Sequence, residues 1–418
     1  MGQVMVKSVL MIAFHYPPMR GSSGIQRTLK FSQHLPEEGW RPLMLCASPR
    51  AYHEHCEGLS DEVPAQALVT RAFALDTARH LSVRGRYPRW FALPDRWASW
   101  LLGAVPAGLR LVRLHRPAAI WSTYPIATAH LAGLALRKLT GLPWIADLRD
   151  PMTDDGYPPD PLTRRVYRWI ERKTIEHCAV AVCTTPGAVR TYVARYPHVP
   201  ASRFALIENG FDEDSFRTAM PCPAAGSHPF RLVHSGVIYP CERDPTALFA
   251  ALAILLRRGR IGAHSFRLVL RATGHDAHLR KLVEDAGVQS VVTLEPHIPY
   301  AAALAEMTSA GGLLVLQAAN CNDQVPAKIY EYFRAHRPVL ALTDPAGDTA
   351  AVMRRAGIDT IAPLDDPDAI ASALDSFITR AMAGDAPLAS AEAVASCSRR
   401  ARSSQLARLL EQVTEQEA

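Results

Sequence analysis

The sequence predicts an α/β protein of two doubly wound, Rossmann-like domains facing each other across a cleft. Three observations predict it. The chain has 418 residues, more than one hydrophobic core usually organises, so two domains are the starting expectation. Short runs of β-branched and aliphatic residues alternate with helical patterns almost throughout, the pattern of parallel sheets with crossover helices. One stretch, Pro221-Cys222-Pro223-Ala224-Ala225-Gly226-Ser227-His228-Pro229, breaks the alternation with residues that favour neither helix nor strand.

In the first half, strands are expected over 9–14, 42–47, 118–122, 143–147, 180–184 and 204–207. Helices are expected near 127–139, 161–177 and 186–195. The region 50–116 is less regular and carries no detailed assignment. After the linker, strands are expected over 231–234, 266–271, 291–294, 313–317, 339–342 and 360–363. Helices should start near Asp244, Ala277, Tyr300, Pro326 and Gly347, with a further one capped by Asp366 and opened by Pro367. The expected division is a first domain over 1–212, a linker over 213–229, a second domain over 230–385 and a terminal segment over 386–418. Its helix, about 390–414, is expected to cross back onto the first domain.

Composition sets outer bounds. Hydrophobic residues make up 48% and charged residues 21%, which fits a globular protein and excludes a mostly disordered one. A formal net charge of +6 accommodates a diphosphate or an anionic membrane surface without calling for nucleic acid. The eight cysteines form no CxxC pair and no zinc-type spacing, and are read as buried free thiols of a reducing compartment. The sixteen histidines include no HExxH or similar ligand cluster, so no metal site is expected. The apolar run 9–14 is too short to span a bilayer and leads into His15-Tyr16-Pro17-Pro18, not a cleavage site. The expected location is the cytoplasm, with the inner face of the membrane as the alternative.

Ligands of doubly wound sheets bind beyond the carboxyl ends of strands. After strand 313–317 comes a polar loop, then Pro326 at the expected first helical position, Lys328 in the first turn and Glu331 one turn on. A helix start suits phosphate, and a lysine there opposes the helix dipole unless an anion compensates. Glu331 shares a face with Lys328 and could accept two ribose hydroxyls; an exposed ion pair between the two is the competing account. After strand 231–234 come Gly236 and then Arg243, beside the helix that Asp244 and Pro245 open. In the first half, Gly21 and Gly24 lie in a loop after strand 9–14, with His15 at the strand's end. Asp147, Arg149 and Asp150 close strand 143–147, where an acceptor or base role competes with a structural ion pair. Arginines and aromatics interleave over 84–116, which suits a membrane interface as well as a packed helix with solvated arginines.

At these residues the sequence resembles family 4-type glycosyltransferases of the GT-B fold. The resemblance is carried by Val325-Pro326-Ala327-Lys328-Ile329-Tyr330-Glu331-Tyr332 with Arg337-Pro338-Val339-Leu340, by Asp147-Leu148-Arg149-Asp150-Pro151, and by Asn209-Gly210-Phe211-Asp212. It implies that Glu331 holds the donor ribose and that Asp323, where the wider clan has the first glutamate of a Glu-x7-Glu pair, faces the donor sugar. Arg243 and Lys328 fall on the diphosphate, Gly236 and His297 on the donor, and Gly21 and Gly24 on a phosphate- and acceptor-facing loop. Asp150 is the candidate acceptor-side catalytic residue, with His15, Asp147 and Arg149 beside it. The implied activity is transfer of a glycosyl unit from a UDP- or GDP-sugar, with retention, to a saccharide, lipid-linked or small-molecule acceptor. The nucleotide-sugar is a substrate, and neither cofactor nor metal is implied. A nucleotide-sugar 2-epimerase and a non-catalytic nucleotide-sugar-binding subunit are the rival readings.

Overall fold

The computed structural model describes residues 7–19, 23–54, 62–154, 156–219 and 229–416. The chain divides into two units. Unit 1 comprises Met1–Asn209 and Arg399–Ala418, and unit 2 comprises Gly210–Ser398.

Unit 1 is built on seven strands: β1 (Lys7–Ile12), β2 (Trp40–Ala47), β3 (Leu68–Ala72), β4 (Ala119–Thr123), β5 (Trp144–Arg149), β6 (Val180–Cys183) and β7 (Phe204–Leu206). They form one sheet in the order β3-β2-β1-β4-β5-β6-β7, with every pairing parallel. The central strands are buried on both faces: Val9, Leu10, Met11 and Ile12 of β1 and Trp144, Ile145 and Ala146 of β5 are all inaccessible. That is why these strands read as unbroken apolar runs, not alternating ones. Strand β3 escaped the sequence reading because Thr70 and Arg71 interrupt its apolar character and it sits half-buried at the sheet's edge. The basic amphipathic run near 97–114 is the helix Trp100–His115, which buries Trp100, Ala104 and Leu111.

Unit 2 holds six strands: β8 (Phe230–Ser235), β9 (Phe266–Arg271), β10 (Val292–Glu295), β11 (Gly312–Gln317), β12 (Val339–Thr343) and β13 (Ile361–Ala362). Their order is β10-β9-β8-β11-β12-β13, again all parallel. Helix Pro367–Ala383 opens as the sequence indicates, with the Asp366 carboxylate accepting from the backbone N–H groups of Asp368 and Ala369.

Two boundaries differ from the sequence reading. Residues 213–218, assigned to the linker, form the helix Glu213–Thr218, capped by Asp212. This helix belongs to unit 2: Phe216 shares a hydrophobic core with Leu304 and Tyr330, and Glu213 forms a bidentate ion pair with Arg334 at 2.6 Å. Of the remaining linker, 220–228 lies outside the described residues. The terminal helix is two helices, Ala391–Ser396 in unit 2 and Arg399–Gln416 in unit 1. The second buries Leu406, Ala407, Leu410 and Val413 against the β1, β2 and β4 side of the sheet. No helix of the described residues is long and apolar enough to cross a membrane.

Candidate functional site

In both sheets the strand order reverses once, between β1 and β4 in unit 1 and between β8 and β11 in unit 2. Loops leaving the two strands at such a point diverge to opposite faces and open a crevice at their carboxyl ends. In unit 2 the residues flanking that point are Gly236 after β8 and the segment 318–328 after β11. Gly236 has φ +114, a backbone conformation that favours glycine, and a Cβ there would stand 3.1 Å from Lys328 Nζ and press on the ammonium. The Ser235 amide donates to Tyr332 Oη at 3.1 Å, which ties the helix Lys328–Arg334 to the end of β8. The loop after β11 is tied to the loop after β8 by Ala318 N to Glu242 O and by Asn320 Nδ2 to Cys241 O, both 2.8 Å.

Lys328 Nζ lies 3.1 Å from His234 Nε2, and His234 Nδ1 lies 3.0 Å from the Leu314 carbonyl. A carbonyl only accepts, so Nδ1 carries the imidazole proton and Nε2 accepts from the lysine. Desolvation and then the Lys328 charge hold the His234 pKa well below its ordinary value, so the ring stays neutral. The ammonium therefore rests on a neutral acceptor. Desolvation, followed by the nearby Arg243 charge, lowers the Lys328 pKa to about 7, with Glu331 acting in the opposite sense. Arg243 donates from Nη1 to the Val237 carbonyl at 2.8 Å and lies over the Tyr239 ring. Its buried Nε has no partner among the described residues. Two mutually repelling cations, one with an unsatisfied N–H, form a place where an anion relieves a standing electrostatic cost.

This geometry makes anion binding pH-dependent with a definite sign. Below about pH 7 the free protein already carries the ammonium. Above it, binding must recruit a proton to Lys328. Both phosphates of a nucleotide-sugar are diesters and do not titrate in that range. Affinity for a nucleotide-sugar is therefore expected to hold steady below about pH 7 and to weaken by up to about tenfold per unit above it. Calorimetric titration from pH 6 to 9 checks this. A flat profile would refute it, and Lys328→Met should remove the slope.

Glu331 accepts a hydrogen bond from Tyr300 Oη at 2.7 Å. Tyr300 opens the helix that follows β10 and is 46% exposed; the sequence reading placed a helix start there without giving it a role. Asp323 is exposed in its loop, and His297 is exposed in the turn after β10. Two local expectations change. The helix after β11 is Lys328–Arg334, so Pro326 precedes it and its carbonyl accepts from the Ile329 amide. With seven residues, its dipole is weak, and the cationic side chains carry the charge argument instead. The helix after Arg243 begins at Thr246, with Asp244 accepting from the Thr246 amide and hydroxyl.

In unit 1, Gly21 lies outside the described residues. Gly24 is in the helix Ser23–His34, its carbonyl accepting from Thr28 Oγ1. Asp147 is not available to an acceptor. It is fully buried, paired with Arg27 through two 2.9 Å hydrogen bonds and bonded to Thr123 Oγ1 at 2.9 Å. Arg27 also donates to the carbonyls of Ile207 and Glu208. Arg27, on the helix Ser23–His34 and not singled out from the sequence, is thus the structural partner of Asp147. Arg149 adopts φ +62, beside an irregularity in the β5–β6 pairing, which costs a non-glycine residue of order 1 kcal/mol. Its Nη1 reaches the Tyr124 carbonyl at 3.4 Å, while its buried Nε has no partner among the described residues. Burial and then the Arg149 charge lower the His15 pKa to about 4, so His15 is neutral at physiological pH. Asp150 is exposed and accepts from Thr184 Oγ1 at 3.3 Å. The Asn209-Gly210-Phe211-Asp212 segment is structural: Phe211 N donates to the Cys397 carbonyl, and Asp212 caps a helix.

Residues 23–210, just under half of the chain, match the model of the glycosyl transferase 4-like domain. No curated protein matches. Among solved structures, the chain is similar to sucrose-phosphate synthase from Thermosynechococcus elongatus, at 15% identity and TM-score 0.59, over 98% of this chain and 97% of that one. It is similar to an alpha,alpha-trehalose-phosphate synthase (UDP-forming) from Burkholderia xenovorans, at 13% identity and TM-score 0.60, over 97% and 100%. It is also similar to a UDP-GlcNAc 2-epimerase from Neisseria meningitidis, at 12% identity and TM-score 0.53, over 97% and 100%. At these identities the likeness is one of fold.

Proposed function

We propose that this chain, whose first half carries a glycosyl transferase 4-like domain and whose whole length has the GT-B fold, is a retaining glycosyltransferase. Its donor is a UDP- or GDP-sugar bound in unit 2 at the carboxyl ends of β8 and β11. The single observation that carries the reading is the Lys328–Arg243 pair at the strand-order reversal, with Gly236 clearing space beside the ammonium.

Glycosidic bond cleavage moves negative charge onto the diphosphate. Lys328 and Arg243 oppose that charge from fixed positions, each through charge-assisted hydrogen bonds worth about 1.5–3 kcal/mol. Because His234 and Val237 hold them in place beforehand, little reorganisation is needed during the reaction. With two cations on the leaving group, no metal is required, and activity should survive chelation of divalent ions. Glu331 binds the ribose hydroxyls, exchanging the Tyr300 hydroxyl for the ligand's. Asp323 and His297, both exposed in loops of unit 2, are the further donor-side residues of this reading. On the acceptor side, Asp150 is the exposed carboxylate, with Arg149 and His15 behind it. The acceptor is a saccharide, a lipid-linked saccharide or a small molecule.

The test is ligand-observed NMR against UDP-, GDP- and dTDP-sugars, followed by product analysis with acceptors. Glu331→Ala is expected to weaken donor binding by roughly 10–100-fold, as loss of one or two charge-assisted hydrogen bonds requires. Tyr300→Phe should change donor affinity less than Glu331→Ala does, because the hydroxyl's bond to Glu331 is one that the ligand displaces. Unchanged donor affinity in Glu331→Ala would remove this assignment. A free epimer with no glycosylated acceptor would favour the epimerase reading instead.

A further inference from the structure

A cationic cluster lies in unit 1, whereas every donor residue named above belongs to unit 2. Helix Pro161–His177 places Arg165, Arg168 and Arg172 at successive turns of one face, with Trp169 among them. Beside that face is a cavity of about 570 Å³ lined by these four residues and by Arg195 and Tyr196. Its floor is built. Glu171 is fully buried and accepts from Arg195 Nη1 at 2.6 Å, Tyr196 Oη at 2.8 Å, Thr153 Oγ1 at 3.3 Å and Tyr192 Oη at 3.4 Å. That carboxylate thereby balances the Arg195 charge. Arg165 and Arg168 have no carboxylate partner among the described residues. Arg172 is 3.8 Å from Glu176, which Lys173 already holds at 2.7 Å. Asp154, on the rim, is turned into its own loop, accepting from the Gly156 and Tyr157 amides.

Like charges one turn apart on a helix repel by a few tenths of a kcal/mol, a cost that an anion bridging Arg165, Arg168 and Arg172 removes while accepting charge-assisted hydrogen bonds. Guanidinium forks match phosphate oxygens, and Trp169, 46% exposed at the cavity, offers an aromatic surface to the remainder of the molecule. We propose that this cavity is a binding site for a phosphate- or pyrophosphate-bearing molecule, recognised by Arg165, Arg168 and Arg172 and packed on Trp169. The phosphate comes either from a soluble ligand or from a lipid headgroup.

The experiment uses the full chain labelled with ¹⁵N. The Trp169 indole resonance is assigned by its disappearance in Trp169→Phe, then followed during titration with inorganic pyrophosphate and, separately, with phosphatidylcholine vesicles with and without phosphatidic acid. In the wild type the resonance should shift or broaden saturably. In the Arg165→Gln/Arg168→Gln variant the midpoint should rise at least about tenfold. Both arginines are exposed, so the fold should be retained, and nucleotide-sugar binding in unit 2 should be unchanged, which separates this site from the donor reading. A response to pyrophosphate identifies a soluble ligand; a response to phosphatidate vesicles alone identifies a headgroup. No response to either probe, or an equal response in the double variant, overturns the proposal.

Discussion

Lys328→Met is expected to lower kcat by roughly 10²–10³-fold, the effect of removing one preorganised group that stabilises transition-state charge. The donor KM should move less, because the ground-state diphosphate ester already spreads its charges and keeps Arg243. The methionine retains the volume that packs beside Gly236 and removes only the ammonium, so His234 Nε2 loses its donor without a cavity opening. Steady-state kinetics with a fixed acceptor read the split. A loss confined to KM would make Lys328 a binding residue alone, and an unchanged kcat would remove it from the chemistry. A slow reaction limited by release would hide the effect, so single-turnover rates are the decisive measurement.

Asp147→Ala is expected to destabilise unit 1 by about 3–5 kcal/mol, because it leaves the buried Arg27 guanidinium without its counter-charge. Arg27 retains two carbonyl acceptors, but those do not neutralise it. The double variant Arg27→Met/Asp147→Leu should recover most of the loss, since replacing both ends of a buried pair with apolar groups is often close to neutral. Denaturant midpoints at a constant slope measure the difference. A loss under about 1 kcal/mol would mean that water or a neighbouring carboxylate compensates Arg27, returning Asp147 to the candidate acceptor residues. The contrast separates two carboxylates three positions apart: Asp147 is locked in the core, and Asp150 is exposed and accepts a 3.3 Å bond from Thr184.

Much of this protein was legible in the residue order. Both parallel sheets announced themselves through apolar runs such as those of β1 and β11, because a strand covered on two faces is apolar at nearly every position. The Asp366-Pro367 helix start and the placement of Lys328, Gly236 and Arg243 after strands followed from capping and strand-end rules that need only a few neighbouring residues. Tertiary structure decided the rest, since partners distant in the chain set it. Arg27 and Asp147 stand 120 positions apart and Lys328 and His234 stand 94 apart, so no local pattern tells a core ion pair from an acceptor-side acid, or a tuned lysine from an exposed one. The edge strand β3 was lost to the opposite effect: half-buried and polar in part, it is a strand because β2 offers it a free ladder. The sequence by itself determined which segments lie at the strand ends. Burial and long-range pairing, which set the cost of every charge, determined which of those charges stay available to a ligand.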